Sequence, residues 1–432
     1  MNKLKNYIPF LLVAMLFLMW GLANNMNDTL LAAFKRILSI SDLQSSLVQF
    51  AFYGAYFCFA IPAALFIKKY SYKSGILLGL AIYATGTILF YPAGLTSSYL
   101  FFLGAIYVMA GGCAILETAA NPYILSMGNE STATRRLNIA QTFNPVGALG
   151  GILLSRHFIL SSLNEADASQ RAEMDSQALQ QIQHSEFNAV SETYLIIGGM
   201  LTLLFLIILF MKMPSGVNDN NSKEISKDSD SSKTISRLFK NSIYRNGVIA
   251  QFFYVGAQTC VWSFTIRFVM AMKDCRESEA SVIFLWSIIA FTLFRFIFTW
   301  LMKYVKPSKL LAGSSICACI ATTCVIFGEG DFAIAALVSI SACMSLMFPT
   351  IYGIALENVN TEDRKLGASG LIMAILGGAL LTPLQGWLSD VLGISYSFIV
   401  TVLCFMVVAF YSRFAESYSK SEIKSFKIQT SA

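Results

Sequence analysis

Long apolar runs alternate with short polar loops along the whole chain. The runs begin near residues 8, 45, 74, 98, 138, 192, 243, 279, 308, 331, 366 and 393. Each has roughly the 20 residues that an α-helix needs to cross the hydrocarbon core of a bilayer. The pattern therefore predicts an all-α membrane protein with twelve transmembrane helices, which we number as spans 1 to 12.

Span 1 begins like a secretory signal peptide, because Lys3 and Lys5 precede its apolar run. It has no convincing small-residue cleavage site, and the run continues through Asp28. We therefore interpret span 1 as a retained helix.

The centre of the chain contains a segment of a different composition. Residues 214–236 are rich in Ser, Asn, Lys and Asp and have almost no apolar residues, which is typical of a flexible linker. We predict four parts: an N-terminal six-helix bundle at 1–213, a flexible cytoplasmic linker at 214–241, a C-terminal six-helix bundle at 242–414 and a cytoplasmic tail at 415–432.

The two halves share landmarks at an offset of 227 residues. Pro122 corresponds to Pro349, and the pair Gly150–Gly151 corresponds to Gly377–Gly378. Together with the linker, these matches favour two pseudo-symmetric bundles, the major facilitator fold, in which substrate binds near the midplane between the halves.

Composition and charge support a membrane protein. The chain is 56% hydrophobic and 13% charged, whereas soluble domains average about 25% charged residues. Most of its 31 Lys and Arg residues fall in alternate loops, which predicts that both termini are cytoplasmic in a bacterial inner membrane. The net charge of +6 follows from this asymmetry and needs no nucleic-acid partner. With two histidines and no CxxC pair, we expect no metal site.

Two acidic residues interrupt the spans, Asp28 in span 1 and Glu117 in span 4. A charged side chain at the bilayer centre costs roughly 2.5–3.5 kcal/mol, so such residues face the protein interior or a wet cavity. A carboxylate placed there can take up and release a proton, as a proton relay requires. The alternative is a purely structural hydrogen bond between helices. Arg295 in span 8 is the one basic residue inside a span, and we expect it to join a charge cluster at the cytoplasmic end.

Neutral hydrogen-bonding residues accompany the two acids. Amides that both donate and accept suit a polyhydroxylated ligand, and a tryptophan suits the apolar face of a sugar ring. Gln141 and Asn144 are three residues apart, so we expect both on one helix face. The alternative is that the amides only join helices to one another. The candidate binding residues are Asn25, Gln141, Asn144, Gln258, Trp20 and Trp262.

Two short strings imitate intramembrane proteases, GEGD at 328–331 and GASG at 367–370. Neither has a partner residue in a suitable place: no Tyr-Asp dipeptide accompanies the first, and both histidines are predicted far from Ser369. No Walker loop is present, so ATP is excluded as the energy source. We therefore expect a protein that is not an enzyme.

Several motifs resemble the bacterial L-fucose–proton symporter family of the major facilitator superfamily. They are ANNMNDTLL, LETAANPYI, RLNIAQTFNPVGA, YVGAQTCVWSF and FPTIYGIALENVN, and the resemblance covers essentially the whole chain. It implies alternating access to a central sugar site and inward movement of a proton with each sugar. It also implies that Asp28 is the proton site, that Glu117 couples protonation to sugar binding, and that Asn25, Gln141, Asn144, Trp20 and Trp262 line the cavity.

The chain departs from the family's pattern at one place. The Gln-Tyr pair expected before the proline of span 10 is replaced here by Met347-Phe348 before Pro349. We predict a proton-coupled importer of a monosaccharide, L-fucose first, acting as a monomer in membrane lipid with the proton as coupling ion and no cofactor. The alternatives are a glucose/galactose transporter of the same family and a sugar sensor that binds without transporting.

Overall fold

The structure is a computed structural model that describes residues 2–38, 42–164, 166, 170–171, 173–211, 231–275, 277–357 and 359–429. The first part of the chain forms the helices α1 Asn2–Leu38, α2 Asp42–Lys69, α3 Tyr72–Ile88, α4 Phe90–Thr96, α5 Tyr99–Ser126, α6 Ala133–Gln141, α7 Phe143–Leu154 and α8 Ser176–Phe210. The second part forms α9 Ser231–Lys240, α10 Ser242–Lys273, α11 Glu277–Leu301, α12 Pro307–Phe327, α13 Gly330–Met344, α14 Met347–Glu357, α15 Arg364–Met373, α16 Gly377–Leu392, α17 Ile394–Ser397 and α18 Ile399–Gln429.

The all-α membrane fold predicted from the sequence is confirmed. Over the described residues, nine helical stretches are long and apolar enough to cross a membrane. Spans 1, 5 and 7 correspond to α1, to α6 with α7, and to α10. In α1 the described apolar stretch Ile8–Ala23 is shorter than a full span, whereas polar residues lower the hydropathy of α6 with α7 and of α10.

Prolines divide two of the spans into half-helices. Span 5 is broken at Thr142 between α6 and α7, and span 10 is broken at 345–346 between α13 and α14. Pro145 and Pro349 follow these breaks by a few residues, and a proline removes one hydrogen bond of the preceding helical turn. Pro122, by contrast, lies within the continuous helix α5.

The described residues divide into two compact units. Unit 1 lies within residues 1–123 and 143–215, and unit 2 within 124–142 and 216–432. Segment 124–142, predicted as part of the first bundle, therefore packs with the C-terminal half of the chain. The two bundles at 1–213 and 242–414 otherwise remain predictions.

The predicted flexible linker lies only partly within the described residues. Residues 214–230 fall outside them, and for 231–240 the prediction of a flexible segment is wrong, because α9 occupies these positions. Leu238 is buried, and the Arg237 guanidinium pairs with the Asp363 carboxylate at 2.6 Å. The hydrogen bonds to Asp363 raise the pKa of Arg237. At the other end of the chain, α18 continues through most of the predicted tail at 415–432.

Glycines allow close contacts between helices in both units, and two of these contacts are comparable. In unit 1 a Cβ at Gly147 of α7 would overlap the Leu18 carbonyl of α1. In unit 2 a Cβ at Gly377 would overlap the Phe252 carbonyl of α10 in the same way. The contact between spans 1 and 5 thus has a counterpart between spans 7 and 11, as an internal repeat requires.

A buried ion pair fixes the loop before α8. Arg171 and Glu186 are 2% and 0% exposed, and their side chains pair at 2.6 and 2.9 Å. Glu186 also accepts the backbone N–H of Asn164 at 2.8 Å, and the Arg171 Nε–H donates to the Ala166 carbonyl at 3.1 Å. Such a pair is stabilising only when its remaining polar atoms are satisfied, as these are.

Candidate functional site

Glu117 lies in the middle of α5 and is 3% exposed. Among the described side chains, none meets hydrogen-bond geometry with either of its carboxylate oxygens. The Asn121 side chain lies one turn further along the same helix. A buried carboxyl group without a fixed partner is costly, and it persists in proteins mainly where it has a function.

Two buried tyrosines and a cysteine surround Glu117. The Trp20 indole N–H of α1 donates to the Tyr56 hydroxyl of α2. The Tyr83 hydroxyl donates to the Met19 carbonyl at 3.0 Å, and Cys113 lies beside both tyrosine hydroxyls. Tyr56 and Cys113 are both within electrostatic range of Glu117. Four helices of unit 1 thus contribute to one polar cluster, which we call the Glu117 cluster.

Sequence reasoning found Trp20 and Glu117 but missed the three residues between them. Tyr56, Tyr83 and Cys113 lie in apolar runs, where each is indistinguishable from an ordinary packing residue. What distinguishes these three residues is that their polar atoms are fully buried and need hydrogen-bond partners. This property becomes visible only once the fold is known.

The predicted amides of unit 1 lie along α1 and α7. Asn25 is half-buried, and its Nδ2 donates to the Gly21 carbonyl of its own helix at 3.2 Å. Asn144 packs its backbone against Gly21, and its Nδ2 reaches the Phe17 carbonyl at 3.5 Å. The side chain of Asp28, the predicted proton site, lies outside the described part of the chain.

The remaining predicted residues belong to unit 2. Gln141 is buried at the end of α6, while Gln258 and Trp262 are half-buried on α10. The Trp262 indole N–H donates to the Ser341 hydroxyl at 3.3 Å, and its ring meets the Phe291 ring edge-on at 5.1 Å. Gln141 ends α6 and Asn144 lies near the start of α7, and the expectation that both share one helix face stays a prediction.

We expected Arg295 to join a charge cluster at the cytoplasmic end of its span, and this expectation is wrong. It is 3% exposed inside unit 2, with its guanidinium 4.8 Å from the Phe291 ring centre. Its Nε–H donates to the Ser345 carbonyl at 2.6 Å, and Nη1 donates to the Gln141 carbonyl at 2.9 Å. Backbone carbonyls, and not acidic side chains, are thus the hydrogen-bond partners of this guanidinium.

The position of the missing Gln-Tyr pair is an apolar, packed region. Met347 is fully buried and Phe348 is 7% exposed. The Phe348 ring lies 6.4 Å from the rings of both Tyr254 and Tyr352. Two hydrogen-bonding groups of the family's pattern are therefore replaced by hydrocarbon in unit 2.

Each unit, considered by itself, contains groups of the kinds that bind a polar ligand. Unit 1 has a buried carboxyl group within a hydrogen-bonded cluster, together with amides and an indole. Unit 2 has an indole, two amides and apolar packing. A carboxyl group changes its charge when it binds or releases a proton, and a ligand that alters its solvation shifts that equilibrium.

Comparison with known proteins shows the family to which the chain belongs. The Major Facilitator Superfamily model matches residues 10–374. The chain is 40% identical to the L-fucose–proton symporter of Haemophilus influenzae, over 94% of this chain and 96% of that protein. It is 33% identical to a glucose/galactose transporter of Brucella abortus, over 94% of each chain.

A solved structure has the same fold. The crystal structure of the Escherichia coli fucose–proton symporter aligns with a TM-score of 0.87 at 36% identity, covering 95% of this chain and 99% of that chain. The curated relatives are transporters and not enzymes. The chain therefore belongs to the major facilitator superfamily, within the family of the L-fucose–proton symporters.

Proposed function

We propose that this protein is a proton-coupled secondary active transporter that imports a monosaccharide, L-fucose first, by alternating access. The observation that carries the proposal is the Glu117 carboxyl group, which is buried in the middle of α5 and lies beside Tyr56 and Asn121. The names of its relatives support the same substrate pair of L-fucose and proton.

The proposed roles follow the chemistry of each residue. Asp28 takes up the transported proton, and Glu117 links protonation to sugar binding. Trp20 and Trp262 stack on the apolar face of the sugar, while four amides hydrogen-bond its hydroxyl groups. These amides are Asn25, Gln141, Asn144 and Gln258.

The proposed setting is a bacterial inner membrane, with both termini cytoplasmic and the protein acting as a monomer. The proton gradient supplies the energy, so no cofactor is needed. One charge moving down 100 mV releases about 2.3 kcal/mol. Because about 1.4 kcal/mol corresponds to a factor of ten, this drives a roughly fifty-fold accumulation of a neutral sugar.

A second candidate substrate is glucose or galactose. The observation that favours it is the apolar packing of Met347 and Phe348, where the family's pattern has two hydrogen-bonding groups. A relative that transports glucose and galactose is 33% identical over nearly the whole chain.

The function is tested in proteoliposomes that contain the purified protein and a pH-sensitive dye. Adding L-fucose to the outside is expected to acidify the lumen, and an imposed proton gradient is expected to drive labelled fucose uphill. Glu117→Gln should abolish sugar-induced proton movement, because the amide cannot change its charge. Glu192→Gln, the same change at an exposed position of α8, should leave it intact.

Competition by L-fucose, galactose and glucose against one labelled sugar then identifies the substrate. Binding of a sugar without any uptake would replace the proposal with a sensor. Uptake without a pH change would replace it with a uniporter.

A further inference from the structure

Two backbone carbonyls of unit 2 lose their helical partners to prolines. In an α-helix, the carbonyl of residue i accepts the N–H of residue i+4. Pro145 follows Gln141 by four residues and Pro349 follows Ser345 by four, and proline has no N–H. The carbonyls of Gln141 and Ser345 therefore need donors from elsewhere, because an unpaired buried carbonyl is costly.

Arg295 supplies both donors from a third helix, α11. Its Nε–H lies 2.6 Å from the Ser345 carbonyl, and Nη1 lies 2.9 Å from the Gln141 carbonyl. The rigid guanidinium fork can satisfy two acceptors at once, which a lysine cannot do in the same geometry. One side chain thus fills the places of the two missing proline N–H groups.

The dependence between the guanidinium and the carbonyls is mutual. Arg295 is 3% exposed, and no carboxylate of the described chain lies within ion-pair distance. Carbonyl dipoles, the face of Phe291 and the neighbouring Tyr254 side chain stabilise its charge. Moving either carbonyl away would leave a buried cation with too few acceptors. The arrangement in which both hydrogen bonds are formed is therefore favoured.

Other contacts hold segment 124–142, which contains Gln141, against the rest of unit 2. Arg364 pairs with Glu130 at 3.0 Å, and the Asn138 amide donates to the Thr350 hydroxyl at 3.3 Å. Thr134 fits against Gly353, where a methyl group would collide with it. The chain passes into unit 1 at Phe143, so the bond from Arg295 to Gln141 is the last of these links before the crossing.

We propose that Arg295 is a positioning residue of the transport cycle: a latch that holds the proline-freed carbonyls of Gln141 and Ser345 together and releases Gln141 once per cycle. The inference rests on the proposed function, because alternating access in this fold is largely rocking of one half against the other. Such a motion would act on the chain between Gln141 and Phe143, where segment 124–142 of unit 2 continues into unit 1. Arg295 touches neither the sugar nor the proton in this role.

The test is a double-mutant cycle in the full-length protein in proteoliposomes. Arg295→Met removes the latch, and Pro145→Ala returns an N–H that can bond the Gln141 carbonyl within the helix. We expect Arg295→Met to change the rate of L-fucose counterflow about tenfold or more, since a hydrogen bond from a charged donor is worth at least that factor. Equilibrium fucose binding should stay within about threefold.

The proline variant decides between a latch and a ligand contact. In the Pro145→Ala background, the effect of Arg295→Met should shrink at least about threefold, because the carbonyl then has a partner of its own. Pro122→Ala, a proline of unit 1 that lies within the continuous helix α5, is the matched control and should leave the effect of Arg295→Met unchanged. Additivity of Arg295→Met with Pro145→Ala, within about twofold, would overturn the proposal, and so would loss of fucose binding in Arg295→Met.

A measurement without sugar separates this inference from the proposed function. Hydrogen exchange of the α6 amides in nanodiscs should speed up about tenfold in Arg295→Met and return toward the original rate in Arg295→Met/Pro145→Ala. Unchanged exchange refutes the latch even if transport is confirmed. Faster exchange in a protein that transports no fucose would refute the proposed function alone. Arg295→Lys, which keeps the charge but reaches one carbonyl, serves if Arg295→Met does not fold.

Discussion

The indole N–H of Trp20 donates to the hydroxyl of Tyr56, which links α1 to α2 beside the buried carboxyl group of Glu117. The bond joins a residue suited to stacking on a sugar with one that lies within electrostatic range of the proposed coupling group. A sugar that displaces the Trp20 ring would thereby alter the surroundings of Glu117. We therefore propose the Glu117 cluster as a physical route by which sugar occupancy and protonation affect each other.

Tyr56→Phe tests this route. The change removes one hydroxyl and little volume, so we expect the fold to survive and fucose affinity to fall several-fold, since a hydrogen bond contributes about 1 kcal/mol. The ratio of protons to fucose moved, from parallel dye and isotope measurements, should fall as well. Tyr91→Phe, at a tyrosine that is 47% exposed, is the control. An unchanged ratio and affinity in Tyr56→Phe would show that the cluster is only structural.

Asp28→Asn is expected to separate exchange from accumulation. An amide in place of the proposed proton site cannot be charged and discharged, so uphill uptake of labelled fucose should fall to background. Exchange of internal for external fucose should persist, because it needs no net proton movement. Asp331→Asn, at a residue whose side chain is 83% exposed, should behave like the unmodified protein. Accumulation by Asp28→Asn would rule out its proton role.

Gly147→Ala should disrupt the contact between α1 and α7, because the added methyl group overlaps the Leu18 carbonyl. Overpacking of this kind costs about 1–3 kcal/mol or displaces a helix. We expect a lower melting temperature in detergent and weaker fucose binding. Gly150→Ala makes the same change on the same helix with open space around the new methyl group, and it should have little effect. Equal melting temperatures for both variants would contradict the contact.

Arg171→Met should be strongly destabilising, because it leaves the buried Glu186 charge without its partner. Breaking a buried pair from one side typically costs about 3–5 kcal/mol. The double variant Arg171→Met/Glu186→Leu should recover much of that loss, since no charge remains buried. Thermal unfolding monitored by a thiol-reactive dye at the free cysteines provides the measurement. A double variant less stable than Arg171→Met would argue against this account.

Met347→Gln/Phe348→Tyr restores the pair that the family's pattern has before Pro349. Both positions are buried, so the new polar groups need partners, and a bound sugar can provide them. We expect the ratio of fucose to galactose affinity to rise severalfold in competition assays. Leu346→Met, a nearly isosteric change at the neighbouring buried position, should leave the ratio unchanged. If the ratio does not move, these positions do not select the sugar.

The sequence predicted the parts of this protein that depend on solvent. Span length and the loops between the apolar runs follow from the cost of burying polar groups in lipid. They predicted where most of the long helices begin and end. The isolated acid Glu117 stood out for the same reason. What could not be predicted depends on packing between distant segments: Tyr56 and Tyr83 look apolar along the chain, and the burial of Arg171 requires a folded loop.

Arg295 lies between these two cases. The rule that a proline frees the carbonyl four residues earlier points to Gln141 and Ser345 without any structure. It does not show which donor reaches them, because that depends on how α11 packs beside α6 and α14.

The grouping of 124–142 with the C-terminal half affects how chimaeras of this protein and its relatives should be designed. A recombinant spliced at the central loop would separate Glu130 from Arg364 and Gln141 from Arg295, pairs that packed together in the parent. Splice points after Tyr123 and before Phe143, used together with the one in the central loop, would instead transfer these partners as a set. Domain-swapped transporters joined at all three points should therefore reach the membrane in larger yield than those joined at the central loop alone.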